Sequence, residues 1–260
     1  MTAQHPFTAQ YLGGPTALLE LAGVRLLTDP TFDAPRDYPS PSGTTLVKTA
    51  GPALTEAEVG EVDAVLLSHD QHADNMDHAG RAYVERAALT LSTASAATRM
   101  GPVVRALPAW EHLDLPRPDG GVLRVTAVPA QHGPDGTEHI VGEVTGFVLS
   151  GEDLPTVYVS GDNASLDVVR AIAERFPEPD VAVLFAGGVQ TPLLPGEYLT
   201  LSSAWAAEAT RILGARQVVP VHFEHWQHFT QGAETLAAAF AAAGLDERLH
   251  LLKPGERITL

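Results

Sequence analysis

Short hydrophobic blocks separated by polar turns recur along the chain, and most of these blocks predict β-strands. Residues 62–67 and 181–185 are nearly continuous apolar runs, which is typical of strands buried on both faces. Residues 123–129 alternate apolar and polar positions, which also indicates a strand. Further short strands are expected at residues 89–92, 142–150, 155–160, 217–221, 249–252 and 256–260.

Between these strands, segments flanked by helix-capping residues predict helices. Thr55 is expected to cap the first helix, because Glu58 stands three positions later and completes a capping box. Either Ser165 or Asn163 is expected to cap the fourth helix. The predicted helices cover residues 54–59, 76–88, 94–100, 166–176, 200–213 and 233–243.

The order of these elements bears on fold class and domain organisation. Residues 16–20 and 24–28 predict a hairpin near the N-terminus. Residues 31–45 are rich in Pro, Gly and polar residues, so a loop is expected there. No repeat or low-complexity linker marks a boundary within the 260 residues. We therefore expect residues 1–260 to form a single domain that mixes α and β structure.

Four of the predicted strands end in a small residue or two followed by a histidine or an aspartate. The polar residues are His69, His132, Asp162 and His222. The stretch that begins at His69 is the densest, with two imidazoles and three carboxylates within nine residues. Rigid strand ends can hold ligands to the tolerance that a metal site requires. Because the chain has no cysteine, such a site would use nitrogen and oxygen donors.

Charge and composition narrow the classes of partner. A formal net charge of -16 argues against binding nucleic acid or an anionic membrane surface, since both attract clustered Lys and Arg. A small-molecule substrate is therefore expected, and a homo-oligomer is left open. The N-terminal residues show no signal-peptide pattern, and no apolar run approaches the ~20 residues of a membrane helix. A cytoplasmic location is the expectation.

These residues give the chain a resemblance to a known family. The segment 26–30, the stretch from His69 to Asp74, and His132, Asp162 and His222 follow one another in family order. They resemble the metallo-β-lactamase superfamily. The closer resemblance is to its branch of ascorbate-6-phosphate lactonase-like hydrolases and phospholipases D that act on N-acyl phosphatidylethanolamine. This resemblance implies a four-layer αββα sandwich with metal ions at one edge.

The resemblance also implies roles for individual residues. His69, His72 and His132 would hold a first metal ion, Asp74 and His222 a second, and Asp162 would bridge them. Asp74 and Asp162 would be the catalytic carboxylates. Around them, Asp29 would accept a hydrogen bond from a ligand imidazole. The other residues expected to support the ligands or contact the substrate are Asn75, His225, Trp226 and His228.

The implied activity is that of a metal-dependent hydrolase in which a metal-activated hydroxide attacks a lactone, ester or phosphodiester. One or two divalent ions are expected, with zinc favoured over manganese and iron. The alternative is a degenerate member of the superfamily that binds metal or a small molecule without turnover. That alternative rests on an extra residue near Gln71, and on Asn75 where the family has a third histidine. A scaffold protein is a further alternative. The absence of a Gly-x-Ser-x-Gly motif disfavours a serine hydrolase.

Overall fold

A seven-stranded sheet forms the first half of the structure, a computed structural model that describes residues 5–39 and 45–260. Its spatial order is β15-β1-β2-β3-β6-β7-β8. The strands from β15 to β3 pair antiparallel, whereas β3, β6, β7 and β8 run parallel to one another. Their bounds are β1 (Phe7–Gly13), β2 (Thr16–Leu21), β3 (Val24–Thr28), β6 (Ala64–Leu66), β7 (Thr90–Ser92), β8 (Arg105–Ala106) and β15 (Arg257–Thr259).

A six-stranded sheet forms the second half, in the order β14-β13-β12-β11-β10-β9. Here β12, β13 and β14 are parallel, and the remaining neighbours pair antiparallel. The bounds are β9 (His112–Pro116), β10 (Val122–Pro129), β11 (Thr145–Ser150), β12 (Val157–Val159), β13 (Val181–Phe185) and β14 (Gln217–Val221). A separate antiparallel pair consists of β4 (Arg36–Pro39) and β5 (Thr45–Lys48).

Capping residues end several helices as predicted, but some predicted bounds were too wide: the helix expected at 76–88 spans His78–Arg86, and the one expected at 200–213 begins at Ser203. Thr55 and Glu58 form the expected capping box, the Ser165 hydroxyl caps α5, and Gly214 ends α6 in the left-handed conformation. No helix within 5–39 or 45–260 has both the length and the apolar composition to cross a bilayer. The helices are α1 (Glu56–Val59), α2 (His78–Arg86), α3 (Ala94–Met100), α4 (Glu138–Val141), α5 (Leu166–Arg175), α6 (Ser203–Leu213) and α7 (Ala233–Ala242).

Two apolar cores define the layers. The larger core contains buried residues of both sheets, such as Leu19 and Val148, together with residues of α5, α6 and α7. The smaller core lies on the other face of the first sheet, where Leu27 and Val65 pack with Tyr83 of α2 and Ala96 of α3. The order of layers is therefore helix, sheet, sheet, helix. This is the αββα sandwich that the resemblance implied.

Two local predictions were wrong, and some short elements were missed. The loop predicted at 31–45 contains β4 and, at its last residue, the start of β5, while residues 40–44 lie outside the described residues. Proline is tolerated at the edge of a two-stranded ribbon, so the Pro-rich composition did not exclude strands. The strand expected at 249–252 is reduced to one bridge, between Leu249 and Val218. The elements that were not predicted include β8, β9 and α4, which are short and mostly exposed and so carry no continuous apolar run.

Candidate metal centre

The ends of four strands from both sheets meet at one edge of the sandwich. There the structure brings together the six side chains that the resemblance assigned as ligands, in two groups. His69, His72 and His132, the imidazole triad, place one ring nitrogen each within 4.8 Å of one another. Asp74, Asp162 and His222, the acidic triad, do the same with two carboxylate oxygens and a ring nitrogen. A surface of nitrogen and oxygen donors therefore forms where β6, β10, β12 and β14 end.

The hydrogen bonds around the imidazole triad fix where its lone pairs point. His132 Nδ1 must donate to the carbonyl oxygen of Leu199 at 2.7 Å, so its Nε2 carries a lone pair. The Ser68 hydroxyl donates to Asp29, so His69 Nδ1 is the donor in its 3.0 Å contact with Ser68 Oγ. His69 Nε2 therefore also carries a lone pair.

Both of these Nε2 atoms face a single nitrogen of His72. Its Nδ1 lies 2.9 Å from His69 Nε2 and 3.3 Å from His132 Nε2. One imidazole nitrogen carries at most one proton and can satisfy only one of the two lone pairs. The triad thus aims more lone pairs at one point than it has protons to share. A cation at that point resolves the conflict.

Burial keeps this triad neutral. It lowers the pKa of His132 to about 3, and the neighbouring His72 adds in the same direction. Burial, followed by His72 and His132, lowers the pKa of His69 well below its usual value. Burial also lowers the pKa of His72. Neutral imidazoles are the form that binds metal ions, so near neutral pH protons compete weakly for the triad.

The acidic triad has the opposite imbalance, an excess of buried negative charge. Burial and the nearby Asp74 raise the pKa of Asp162 well above its usual value. Although burial also penalises the charge of Asp74, contacts with His228 and His222 hold its pKa well below the usual range. Asp162 faces both triads, with one oxygen 3.9 Å from His132 Nε2 and the other 3.6 Å from His222 Nε2. This position suits a carboxylate shared between two cations.

Buried polar atoms without hydrogen-bond partners cluster at the acidic triad. Among the described residues they include Asn75 Oδ1, Asp162 Oδ1 and both ring nitrogens of His222. His222 Nε2 lies 3.3 Å from Asp74 Oδ2 but does not hydrogen-bond to it. Orphaned buried polar groups are rare in folded proteins and need an explanation. The donor set fits a divalent ion such as zinc, manganese or iron.

Asp29 supports the ligands through an intermediary. We expected it to accept a hydrogen bond from a ligand imidazole. Instead, it accepts from the Ser68 amide at 2.6 Å, the Ser68 hydroxyl at 2.5 Å and the Asn75 amide group at 3.0 Å. Ser68 in turn orients His69. Burial raises the pKa of Asp29 to about 7, against the opposing effect of these hydrogen bonds.

Two contacts at this edge were not predicted from the sequence. Ser68 precedes a predicted ligand, and a hydroxyl in that position was the available signal for the link to Asp29. The Leu199 carbonyl that fixes His132 lies 67 residues further along the chain, and nothing in the sequence marks it.

Two of the strand ends that carry candidate ligands have unusual backbone geometry. His222 has a φ of 60°, a conformation that costs a residue with a side chain of the order of 1–3 kcal/mol. Its amide donates to the Gly14 carbonyl at 2.6 Å, which helps to hold the strained position. Gly161 has a φ of +56°, and a Cβ there would lie 2.5 Å from the Thr145 carbonyl oxygen. Only glycine fits this crossing, directly before Asp162.

The loop after β14 places its three predicted site residues differently. His228 Nε2 lies 2.9 Å from Asp74 Oδ2, beside the acidic triad. The His225 ring lies against Gly13, and burial lowers its pKa to about 4. Trp226 is buried, with Lys48 Nζ 5.5 Å from its ring centroid. Of these three residues, only His228 hydrogen-bonds to a candidate ligand.

Comparisons with known proteins agree with this geometry. Residues 24–223 match the family model described as a beta-lactamase superfamily domain. A protein of Rubrobacter xylanophilus named UPF0173 metal-dependent hydrolase is 30% identical over 211 residues, which cover 77% of this chain and 80% of the relative.

Two solved structures share the fold. The isothiocyanate hydrolase from Delia radicum gut bacteria aligns with a TM-score of 0.80 and 19% identity over 96% of this chain and 98% of its own. A Veillonella parvula protein, described as a possible metal-dependent hydrolase, aligns with a TM-score of 0.82 and 17% identity over the whole of both chains.

Proposed function

The chain belongs to the beta-lactamase superfamily and is a metal-dependent hydrolase, and from this premise we propose that it cleaves a small, uncharged lactone or ester. The observation that carries the proposal is the convergence of the imidazole triad and the acidic triad at one edge of the sandwich. Asp162, which faces both triads, is proposed as the shared ligand of two divalent ions, with zinc favoured for the imidazole triad.

The chain's own residues would divide the work as follows. His69, His72 and His132 would hold one ion, while Asp74 and His222 would hold the other. A bound divalent ion supplies Lewis-acid chemistry, acidifying water and polarising a carbonyl oxygen. Asp74 would orient the attacking water, since its lowered pKa keeps the carboxylate charged and able to accept a hydrogen bond. Burial excludes bulk water from the donor atoms, which strengthens their effect on developing charge.

Charge around the six ligands favours an uncharged substrate over a phosphodiester. Among the described residues, no Lys or Arg side chain hydrogen-bonds to or forms an ion pair with any of the six. The nearby Lys48 is committed to Asp77 and the Thr31 carbonyl oxygen. With a formal net charge of -16 on the whole chain, an anionic substrate would depend on the metal ions alone for attraction.

A substrate panel tests this proposal. Protein purified without chelator is assayed with chromogenic lactones, esters and phosphodiesters, with and without added Zn²⁺ and Mn²⁺. We expect metal-dependent turnover of lactones or esters, at least 100-fold faster than for the His132→Ala variant. Preferred turnover of phosphodiesters would contradict the substrate class. No turnover of any substrate by the metal-loaded protein would favour the degenerate alternative that Asn75 motivates.

A further inference from the structure

The two candidate metal positions differ in the number of ligands that belong to one position alone. The imidazole triad offers three nitrogens to the first position. The acidic triad also has three members, but Asp162 faces both positions and is shared. The second position then keeps only Asp74 and His222 for itself. Catalytic zinc sites commonly use three protein ligands each, so the second position lacks one donor.

Asn75 could supply that donor only through its Oδ1 atom, which is buried and has no hydrogen-bond partner among the described residues. Its amide nitrogen donates to Asp29 Oδ2 at 3.0 Å and lies 3.4 Å from Ser68 Oγ, and so supports the His69 loop. An amide oxygen is in any case a weaker donor than an imidazole for an ion such as zinc.

His228 lies outside both triads and contacts a ligand of the second position. Its Nε2 lies 2.9 Å from Asp74 Oδ2, the same oxygen that lies 3.3 Å from His222 Nε2. Two imidazole nitrogens thus face one carboxylate oxygen, although His228 is not among the donor atoms of the acidic triad that lie within 4.8 Å of one another. The His228 Nδ1 atom is buried and has no hydrogen-bond partner among the described residues. Only one of the two ring nitrogens, Nε2, is therefore hydrogen-bonded within the described residues.

The surroundings of His228 fix the direction of its ring. Phe229 lies against both imidazoles, with ring centroids 4.8 Å from His228 and 4.4 Å from His222. The Trp226 ring approaches edge-on at 6.3 Å. The side chain is 18% exposed, so it lies where the buried donors meet the open side of the site. A ring held in place by packed neighbours is suited to a ligand role.

We propose that His228 is a protein ligand of the second metal position, completing the donor set of Asp74, Asp162 and His222. This inference rests on the proposed function, since it requires the protein to hold two ions. It assigns the loop after β14 a direct part in metal binding. The alternative is that His228 only positions Asp74 through a hydrogen bond.

Metal stoichiometry and affinity separate these roles without an activity assay. Wild type, His228→Ala, His228→Gln and His225→Ala are dialysed against the same buffered free zinc, and their metal content is measured by mass spectrometry. Calorimetric titration gives the affinity of the second equivalent, and Co²⁺ absorption spectra report its ligand field. The His225→Ala variant removes an imidazole of the same loop that contacts none of the six donors. Thermal unfolding confirms that each variant is folded.

The inference predicts two equivalents in wild type and His225→Ala, and one in both His228 variants. The second-site affinity should fall by more than about 100-fold, beyond the 10–100-fold effect of residues that only support ligands. A His228→Gln variant that keeps two equivalents would show a positioning role and overturn the inference. Two equivalents in His228→Ala, or only one in wild type, would overturn it as well. A wild-type protein that binds no metal would instead refute the proposed function.

Discussion

Replacement of Gly161 by alanine is expected to damage both stability and metal binding. Gly161 stands where the second sheet meets the loop that carries His69 and His72. A Cβ at this position would lie 2.5 Å from the Thr145 carbonyl oxygen and 3.0 Å from Ser68 Cβ. The left-handed φ of +56° adds a conformational cost of about 1–2 kcal/mol for any residue with a Cβ. Overpacking of a tight site typically adds about 1–3 kcal/mol.

The matched control is Gly244→Ala. Gly244 has a similar φ of +69°, but a Cβ there would meet nothing within 4 Å. This variant should lose only the conformational cost of about 1–2 kcal/mol, whereas Gly161→Ala should lose about 2–5 kcal/mol. Urea unfolding measures both, provided that the slope with denaturant is unchanged.

The same pair of variants tests the metal site. Because Gly161 is flanked by Asp162 and touches the neighbour of His69, we also expect weaker zinc binding in Gly161→Ala and normal binding in Gly244→Ala. Equal losses of unfolding free energy and equal zinc affinity in the two variants would contradict both expectations.

Three further predictions concern single side chains. Lys48→Met should destabilise the protein by about 3–5 kcal/mol in urea unfolding, because it leaves the buried Asp77 carboxylate without the ammonium group 2.7 Å away; a loss under about 1 kcal/mol would contradict this. Ser68→Ala should weaken zinc binding by about 10–100-fold in calorimetry, since it removes the hydroxyl that orients His69; unchanged affinity would argue against this link. In metal-free protein, the unfolded chain takes up a proton at His132 below its usual pKa of 6.5, whereas the folded chain does so only near 3. Relative to His132→Gln, the unfolding free energy of the wild type should therefore fall by about 2 kcal/mol between pH 7.5 and pH 5. A difference between the two proteins that stays constant with pH would contradict this.

The layers and most strand positions could be predicted because hydrophobic pattern and capping chemistry act locally. The apolar run that ends in β6, and the Thr55 capping box, carry their signal within a few residues. The β4–β5 pair could not be found in this way. Its strands are short, and β5 lies alongside the β14 loop, as in the bridge between Lys48 and Trp226. Such pairing depends on residues far away in the chain.

The sequence predicted the candidate site as a set of residues but not as a geometry. Strand ends followed by His or Asp identified four members of the two triads, and the family resemblance added His72 and Asp74. Which nitrogen of His72 faces its neighbours, and that the Leu199 carbonyl oxygen holds His132, depend on how distant segments pack. The support of His69 by Asp29 through Ser68 is likewise a three-dimensional arrangement. The proximity of His228 to Asp74 spans 154 residues.

Anomalous diffraction at the zinc, iron and manganese edges, from crystals of protein purified without chelator, is the sharpest test of the two-ion site. One anomalous peak is expected among the nitrogens of His69, His72 and His132, and a second beside Asp74 and His222. Either ion would lie within about 2.0–2.2 Å of its donors if it is zinc. The absence of any peak at this edge of the sandwich, or a metal bound elsewhere on the chain, would contradict this expectation.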